Sequence, residues 1–168
     1  MAYAEHHAAA ESIVARCAII TLSDTRTQET DRSGALIKTL IESADHLVTH
    51  YQIIPDDPGE LTTLLEMLLG AEDVDAILTN GGTGISRRDQ TVTAIDRLID
   101  LPLPGFGELF RMLSWEQIGS GAMLSRSIGG VARGKLLFAV PGSTAAVELA
   151  MTKLILPEIQ HLLHELRK

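Results

Sequence analysis

The segment Val74-Asp75-Ala76-Ile77-Leu78-Thr79-Asn80-Gly81-Gly82-Thr83-Gly84 runs from a short apolar stretch straight into a glycine-rich turn. Val74 to Thr79 reads as a buried strand. The turn after it has three glycines in four residues, Gly81, Gly82 and Gly84. Glycine frees φ and removes Cβ atoms, so backbone N–H groups can converge on an anion, and Thr83 adds a hydroxyl donor. Neither the Walker pattern nor GxGxxG is present, which sets aside the usual phosphate loop and the dinucleotide fingerprint. A turn built of glycine for steric reasons alone stays open at this point.

The neighbouring sequence alternates in the same way. Ala15 to Leu22 reads as a strand, and Asp31 or Ser33 can cap a helix striped by Leu36, Ile37, Leu40 and Ile41. His46 to Ile54 reads as a second strand, the Pro55–Gly59 segment as a turn, and Glu60 to Leu69 as a second helix. Beyond the glycine turn, Thr91 to Ile99 has helical spacing, and Leu101 to Gly105 breaks the chain. Phe106 to Trp115 reads as another helix. Met123 to Val131 and Lys135 to Val140 read as strands joined by a hairpin at Arg133-Gly134. A long helix follows Pro141-Gly142-Ser143-Thr144, with Pro157 expected to kink or restart it. Strands separated by helices predict an α/β fold, a three-layer α/β/α sandwich. Its mixed, mostly parallel sheet is expected to have about five strands, with Met123–Val131 as one antiparallel edge strand.

In such sheets ligands sit beyond the carboxyl ends of the strands, so the loops after strands are the places to look. Ser23 and Asp24 follow the first strand; Asp56 and Asp57 follow the second. Arg87-Arg88-Asp89-Gln90-Thr91 follows the glycine turn, where Asp89 or Thr91 can serve as a helix cap or face a ligand. A carboxylate beside an anion-binding turn repels phosphate unless a divalent cation lies between them. Pro141, Gly142 and Ser143 open a helix, where Ser143 is either a plain cap or a ligand contact. Ser125 and Arg126 can bring a further hydroxyl and positive charge.

Composition narrows the function classes. Fourteen Lys and Arg against 22 Asp and Glu leave a net charge of −8, which argues against nucleic acid held by bulk charge. The single cysteine, Cys17, precludes an internal disulfide and a multi-cysteine zinc site, and a reducing cytoplasm is the natural setting. His161 and His164 share a helix face without a third ligand in view. No stretch approaches a membrane span. Residues 1–14 read as a frayed or helical extension.

Taken together, Thr-Asn-Gly-Gly-Thr-Gly with Arg-Arg-Asp-Gln-Thr (79–84, 87–91), Pro-Gly-Phe-Gly-Glu-Leu-Phe-Arg-Met-Leu-Ser (104–114), Met-Leu-Ser-Arg (123–126) and Pro-Gly-Ser-Thr (141–144) resemble the MoaB/Mog family of molybdenum cofactor biosynthesis. The resemblance implies a molybdopterin-binding domain over residues 15–168. It also implies an activity similar to that of molybdopterin adenylyltransferase: AMP passes from Mg-ATP to the terminal phosphate of molybdopterin, and pyrophosphate leaves. The two family aspartates fall on Asp56 and Asp89, implied here as the Mg²⁺-handling pair. The glycine turn and the Pro-Gly-Ser loop are implied to hold pterin and phosphate, and Glu108 lies in another matching motif. Trimers or hexamers, and contacts with other proteins of the pathway, are implied as well. Two positions depart from the pattern: Asp57 where the family commonly has Glu, and Gln90 where an apolar residue is common.

The chemistry of the residues agrees. A phosphate monoester oxygen is already mostly ionised near neutral pH, so the nucleophile needs no histidine or cysteine base. Positioning and charge stabilisation then dominate. Gly81 to Gly84 and Ser143 are expected to donate to the anions, with Arg88 or Arg126 offsetting charge on pyrophosphate. Alternatives are a non-catalytic molybdopterin-binding protein and a scaffold module of cofactor assembly.

Overall fold

In the computed structural model, residues 12–86 and 89–168 are described. Strand β1 (Arg16–Leu22) is almost fully buried along its length, as a strand covered on both faces must be. It pairs in parallel with β2 (Leu47–Ile54) on one side and β3 (Ala76–Asn80) on the other. β3 pairs in parallel with β6 (Lys135–Val140), which pairs antiparallel with β5 (Ile128–Ala132). A two-residue strand, β4 (Leu101–Pro102), closes that edge, giving the order β2-β1-β3-β6-β5-β4.

Successive side chains of the strands enter opposite layers. Cys17, Ile19, Leu78, Leu136 and Phe138 pack with α1 (Arg32–Ser43), α4 (Pro104–Ile118) and the C-terminal helical run. That run comprises α5 (Thr144–Ala150), a π turn (Met151–Ile155) and α6 (Leu156–Leu166). Ala18, Ile20, Ile77, Leu137 and Ala139 pack with α2 (Pro58–Gly70) and α3 (Thr91–Asp96). The expected three layers are therefore present, with one apolar core on each side of the sheet. Burying each Ile, Leu or Phe contributes roughly 1.5–3 kcal/mol.

The expected sheet differs in two respects. Among the described residues it has six strands, not about five, and β5 is second from the edge. β4 is held by bonds from Asp100 N–H to the Val131 carbonyl and from Leu103 N–H to the Gly129 carbonyl, both 2.8 Å. Pro102, which has no N–H, is tolerated because an edge strand leaves one side unpaired. The expected strand from Met123 begins only at Ile128. Met123 and Leu124 belong to a 3-10 turn (Gly119–Leu124) and are exposed, so their apolar character is not a core signal.

Local chemistry sets the remaining boundaries. Asp31 caps α1 by accepting from Gly34 N–H. Asp57 does the same for α2, its Oδ1 accepting from Gly59 and Glu60 N–H at 2.9 Å, with Pro58 at the first helical position. The Pro55–Gly59 turn is thus also a helix start. Arg133 and Gly134 have φ of 49° and 75°, the left-handed pair a two-residue hairpin turn requires. Pro157 lies just beyond the π turn, where the helical ladder shifts instead of breaking.

Register is what positions the site. Leu22 lies opposite Ile54, Thr21 opposite Asn80, and Asn80 opposite Val140. Four parallel strands end level, so the loops at their carboxyl ends are neighbours.

Candidate functional site

A buried polar network fastens the loops. The Asp31 carboxylate accepts from Gly34 N–H (3.1 Å), Ser33 Oγ (3.1 Å), Tyr51 Oη (2.7 Å) and Arg26 Nη1 (3.3 Å). Burial pushes its pKa up, but hydrogen bonds from Thr21, Tyr51, Gly34 and Ser33 outweigh that and hold it below the usual carboxylate range. Ser33 Oγ lies 2.7 Å from Asn80 Oδ1, and Asn80 Nδ2 donates to Thr21 Oγ1 at 2.8 Å. Asn80 leads directly into the glycine turn, so the network sets where that turn starts. Arg26 carries the same fastening to the last loop, donating from Nη2 to the Gly142 carbonyl at 2.9 Å.

The glycine turn needs its residue types. Gly81 and Gly82 have φ of 103° and 61°, in the left-handed region. The loops also touch closely: a Cβ on Gly142 would lie 3.2 Å from Gly81 Cα. Arg126 clamps the far side of the turn. Its Nε donates to the carbonyls of Gly84 (2.9 Å) and Thr83 (3.4 Å), and its Nη2 to the Asp89 carbonyl. The expected phosphate partner is therefore engaged with the turn itself.

The two predicted aspartates flank this turn. A Cβ on Gly82 would lie 2.8 Å from Asp56 Oδ1, and one on Gly84 would lie 2.7 Å from Asp89 Oδ2. Asp56 N–H donates to Asp24 Oδ1 at 3.1 Å, which ties the loop after β1 to the loop after β2. Asp89 Oδ2 accepts from Ser86 N–H at 2.8 Å. Hydrogen bonds from Ser86, with Arg126 nearby, hold the Asp89 carboxyl below its ordinary value, so it is ionised at neutral pH.

A cleft of about 350 Å³ opens beside the turn. Gly82, Thr83, Gly84, Asp89, Ser125, Pro141, Gly142 and Ser143 line it, so half of the predicted residues meet at one place. Ser143 Oγ also caps α5, accepting from Ala146 N–H at 3.2 Å. Gly81 lies beneath, against Gly142. Ser23 shapes its own loop by accepting from Thr25 and Arg26 N–H, and Thr91 is buried under the turn. Glu108 is exposed on α4 and does not line the cleft. Arg88, like residues 1–11 of the predicted extension, lies outside the described residues.

The apolar wall made by Phe110, Ile118 and Leu124, and the bracing role of Arg26, carry no distinct sequence signal. A helix stripe in the sequence looks the same whether it covers core or cleft.

The expected cation can be tested against these oxygens. Asp56 and Asp89 are hard ligands, and Thr91 Oγ1 is a buried polar atom without a hydrogen-bond partner among the described residues. Among the described residues no group of three or more His, Cys, Asp or Glu side chains could hold a metal ion. This donor set fits Mg²⁺, which takes one or two carboxylates and completes its shell with water and substrate phosphates. It does not fit zinc. His161 instead lies 3.2 Å from Glu158 and 3.7 Å from Glu165. No helix among the described residues is long and apolar enough to cross a membrane.

Comparison with known proteins places this cleft in context. The family model described as "probable molybdopterin binding domain" matches residues 18–161. Molybdenum cofactor biosynthesis protein B of Halalkalibacterium halodurans is 50% identical over 169 residues, spanning 100% of this chain and 99% of that protein. The protein of the same name from Bacillus cereus is 52% identical over the same spans. A crystal structure of molybdenum cofactor biosynthesis protein B superposes with a TM-score of 0.90 at 52% identity, covering 92% of this chain and 97% of that one. The tungsten cofactor synthesizing protein MoaB from Pyrococcus furiosus superposes at 0.83 and 34% identity, covering 92% and 98%. With the family model spanning most of the fold and relatives half-identical from end to end, the chain belongs to the molybdopterin-binding MoaB/Mog family, whose role is molybdenum cofactor biosynthesis.

Proposed function

We propose that the protein adenylylates molybdopterin. The terminal phosphate oxygen of molybdopterin attacks the α-phosphorus of ATP, a new P–O–P bond forms, and the bond to the β-phosphate breaks to release pyrophosphate. The observation that supports this reading is the placement of Asp56 against Gly82 and of Asp89 against Gly84, two glycines of the turn that lines the cleft, with Asp89 itself in the cleft lining.

The residues divide the work as the chemistry demands. The glycine turn and the Pro141–Ser143 loop offer backbone N–H groups to phosphate oxygens. Arg126 and Arg26 fix those loops from behind, so the donors are in place before substrate arrives. Phe110 and Ile118 give the ring system an apolar surface and keep water from one side of the reaction. Asp56 and Asp89 would hold the magnesium of Mg-ATP, which supplies charge neutralisation on the triphosphate. Among the described residues no histidine or cysteine lines the cleft, and none is needed, because the attacking phosphate is already ionised.

Incubation with molybdopterin, Mg²⁺ and ATP should release pyrophosphate. Asp89→Ala should still bind molybdopterin and lose that release. Molybdopterin binding without any pyrophosphate from the wild-type protein would make it a carrier and overturn the transfer reading. Unchanged turnover by Asp89→Ala would overturn the role of Asp89.

A further inference from the structure

The peptide that joins Gly142 to Ser143 has its two polar ends in different surroundings. The Gly142 carbonyl accepts from Arg26 Nη2 at 2.9 Å, and among the described residues no other group donates to it. Gly142 and Ser143 line the cleft beside the glycine turn, whereas Arg26 does not. Arg26 instead lines a second cleft of about 390 Å³, with Ser23, Thr27, Gln28 and Pro55. No peptide bond among the described residues is cis, so the Ser143 N–H points away from the carbonyl that Arg26 holds. That N–H has no acceptor among the described residues. The guanidinium is itself anchored. Its Nη1 donates to Ser33 Oγ at 2.5 Å and to Asp31 Oδ1 at 3.3 Å, and Asp31 is 1% exposed. One planar fork thus joins the buried network to the Pro-Gly-Ser loop, with one nitrogen for each. Gly142 has no Cβ, which lets its loop lie against Gly81 and also leaves its peptide free to rotate once the carbonyl is released.

We infer that Arg26 is a positioning residue: by holding the Gly142 carbonyl it fixes the Ser143 N–H as a donor to a phosphate group in the cleft. The inference rests on the adenylyl-transfer reading for the identity of that phosphate as part of the reacting substrates. Arg26 acts through the peptide and touches no substrate, because its nitrogens are engaged by Gly142, Ser33 and Asp31. A donor whose direction is set before the anion arrives needs no reorganisation when charge builds up on it.

Inorganic pyrophosphate serves as the probe, since its binding is read whether or not transfer occurs. In amide-resolved nuclear magnetic resonance the Ser143 N–H signal should shift as pyrophosphate is titrated into wild type. Arg26→Ala should weaken pyrophosphate by about tenfold or more, the loss expected of one hydrogen bond to a charged group, and should abolish the Ser143 shift. Millimolar guanidinium, admitted by the cleft that Arg26 lines, should restore both, and ammonium at the same concentration should restore neither. A loss of fold or of net charge alone would not separate the two cations. Where Arg26→Ala fails to fold by circular dichroism, Ser143→Pro measured against Ser143→Ala tests the same donor. Both variants lose the Oγ cap, only the first loses the N–H, and a φ of −79° at Ser143 admits proline. Ser143→Pro should then bind pyrophosphate about tenfold more weakly than Ser143→Ala. A Ser143 signal that pyrophosphate leaves unmoved in wild type, wild-type affinity in Arg26→Ala, a loss that guanidinium does not restore, or equal affinities in the two Ser143 variants overturns the inference. A Ser143 response that depends on Arg26 in this way, in a protein that releases no pyrophosphate from Mg-ATP and molybdopterin, supports the positioning role and counts against the adenylyl-transfer reading instead.

Discussion

Replacing Gly34 by alanine sets two forces against each other. Gly34 lies in the first turn of α1, and in an ordinary helix alanine is better by about 1 kcal/mol. Here the added Cβ would lie under 3 Å from Asp31 Oδ2, Tyr51 Oη and Thr21 Oγ1 at once. All three belong to the network beneath the glycine turn, and none is the free end of a flexible chain. Overpacking costs about 1–3 kcal/mol, and weakening one hydrogen bond to a charged group such as Tyr51 to Asp31 costs about 1.5–3 kcal/mol. The structural penalty wins, and a net loss of about 2–3 kcal/mol is expected. At roughly 2–4 °C per kcal/mol for a chain of this size, the midpoint should fall by about 5–10 °C. Urea denaturation followed by circular dichroism measures the free-energy loss, and thermal denaturation the midpoint. Gly70→Ala is the control, because nothing lies within 4 Å of a Cβ there, and it should gain about 0.4–1 kcal/mol. In a Tyr51→Phe background, with one of the colliding oxygens gone, Gly34→Ala should cost less than it does alone. Gly34→Ala as stable as wild type would refute the packing described for Asp31.

Three further outcomes are expected. Hydrogen bonds from the Arg16 side chain, and then its backbone N–H and charge, hold the Asp75 carboxyl at about 2 against an ordinary 3.8. Being depressed in the folded state, it adds about 2 kcal/mol above pH 3.8 that is lost as pH falls through 2; Asp75→Asn should flatten that acid limb of a stability-against-pH curve. Burial pushes the Cys17 thiol up to about 12, so Ellman's reagent at pH 8 should find no native thiol and one in guanidinium; rapid native labelling would contradict the burial. Leu109, Met112, Trp115 and Ile118 form an exposed apolar stripe on α4, and Trp115→Glu should lower the mass seen by light scattering from the expected trimer or hexamer; a wild-type monomer at micromolar concentration would refute assembly through this face.

Legibility in the sequence tracks the range of the interactions. The strands β1, β3 and β6 announce themselves because burial on both faces demands unbroken apolar runs. The glycine turn announces itself because φ of 103° and 61° in succession excludes most residues. β4 does not, since two exposed residues, one of them proline, carry no period and owe their pairing to bonds made by Asp100 and Leu103. Met123 and Leu124 mislead because an apolar pair on a surface face reads like one in a core. Arg26 and Arg126 are visible as charges but not as braces: their partners lie 116 residues away at Gly142 and 42 away at Gly84.

The wall of the cleft has a thermodynamic consequence. Ile118 and Leu124 line the cleft and are also among the exposed apolar residues on the outer face of α4 and its adjoining 3-10 turn. Whatever covers that face also immobilises one side of the cleft. Assembly through that face would make association and ligand binding linked equilibria: ligand would tighten the assembly by the same factor by which assembly tightens the ligand. Affinity measured at low protein concentration would understate affinity in the assembled state, and titrations of this protein are best read as surfaces in two concentrations.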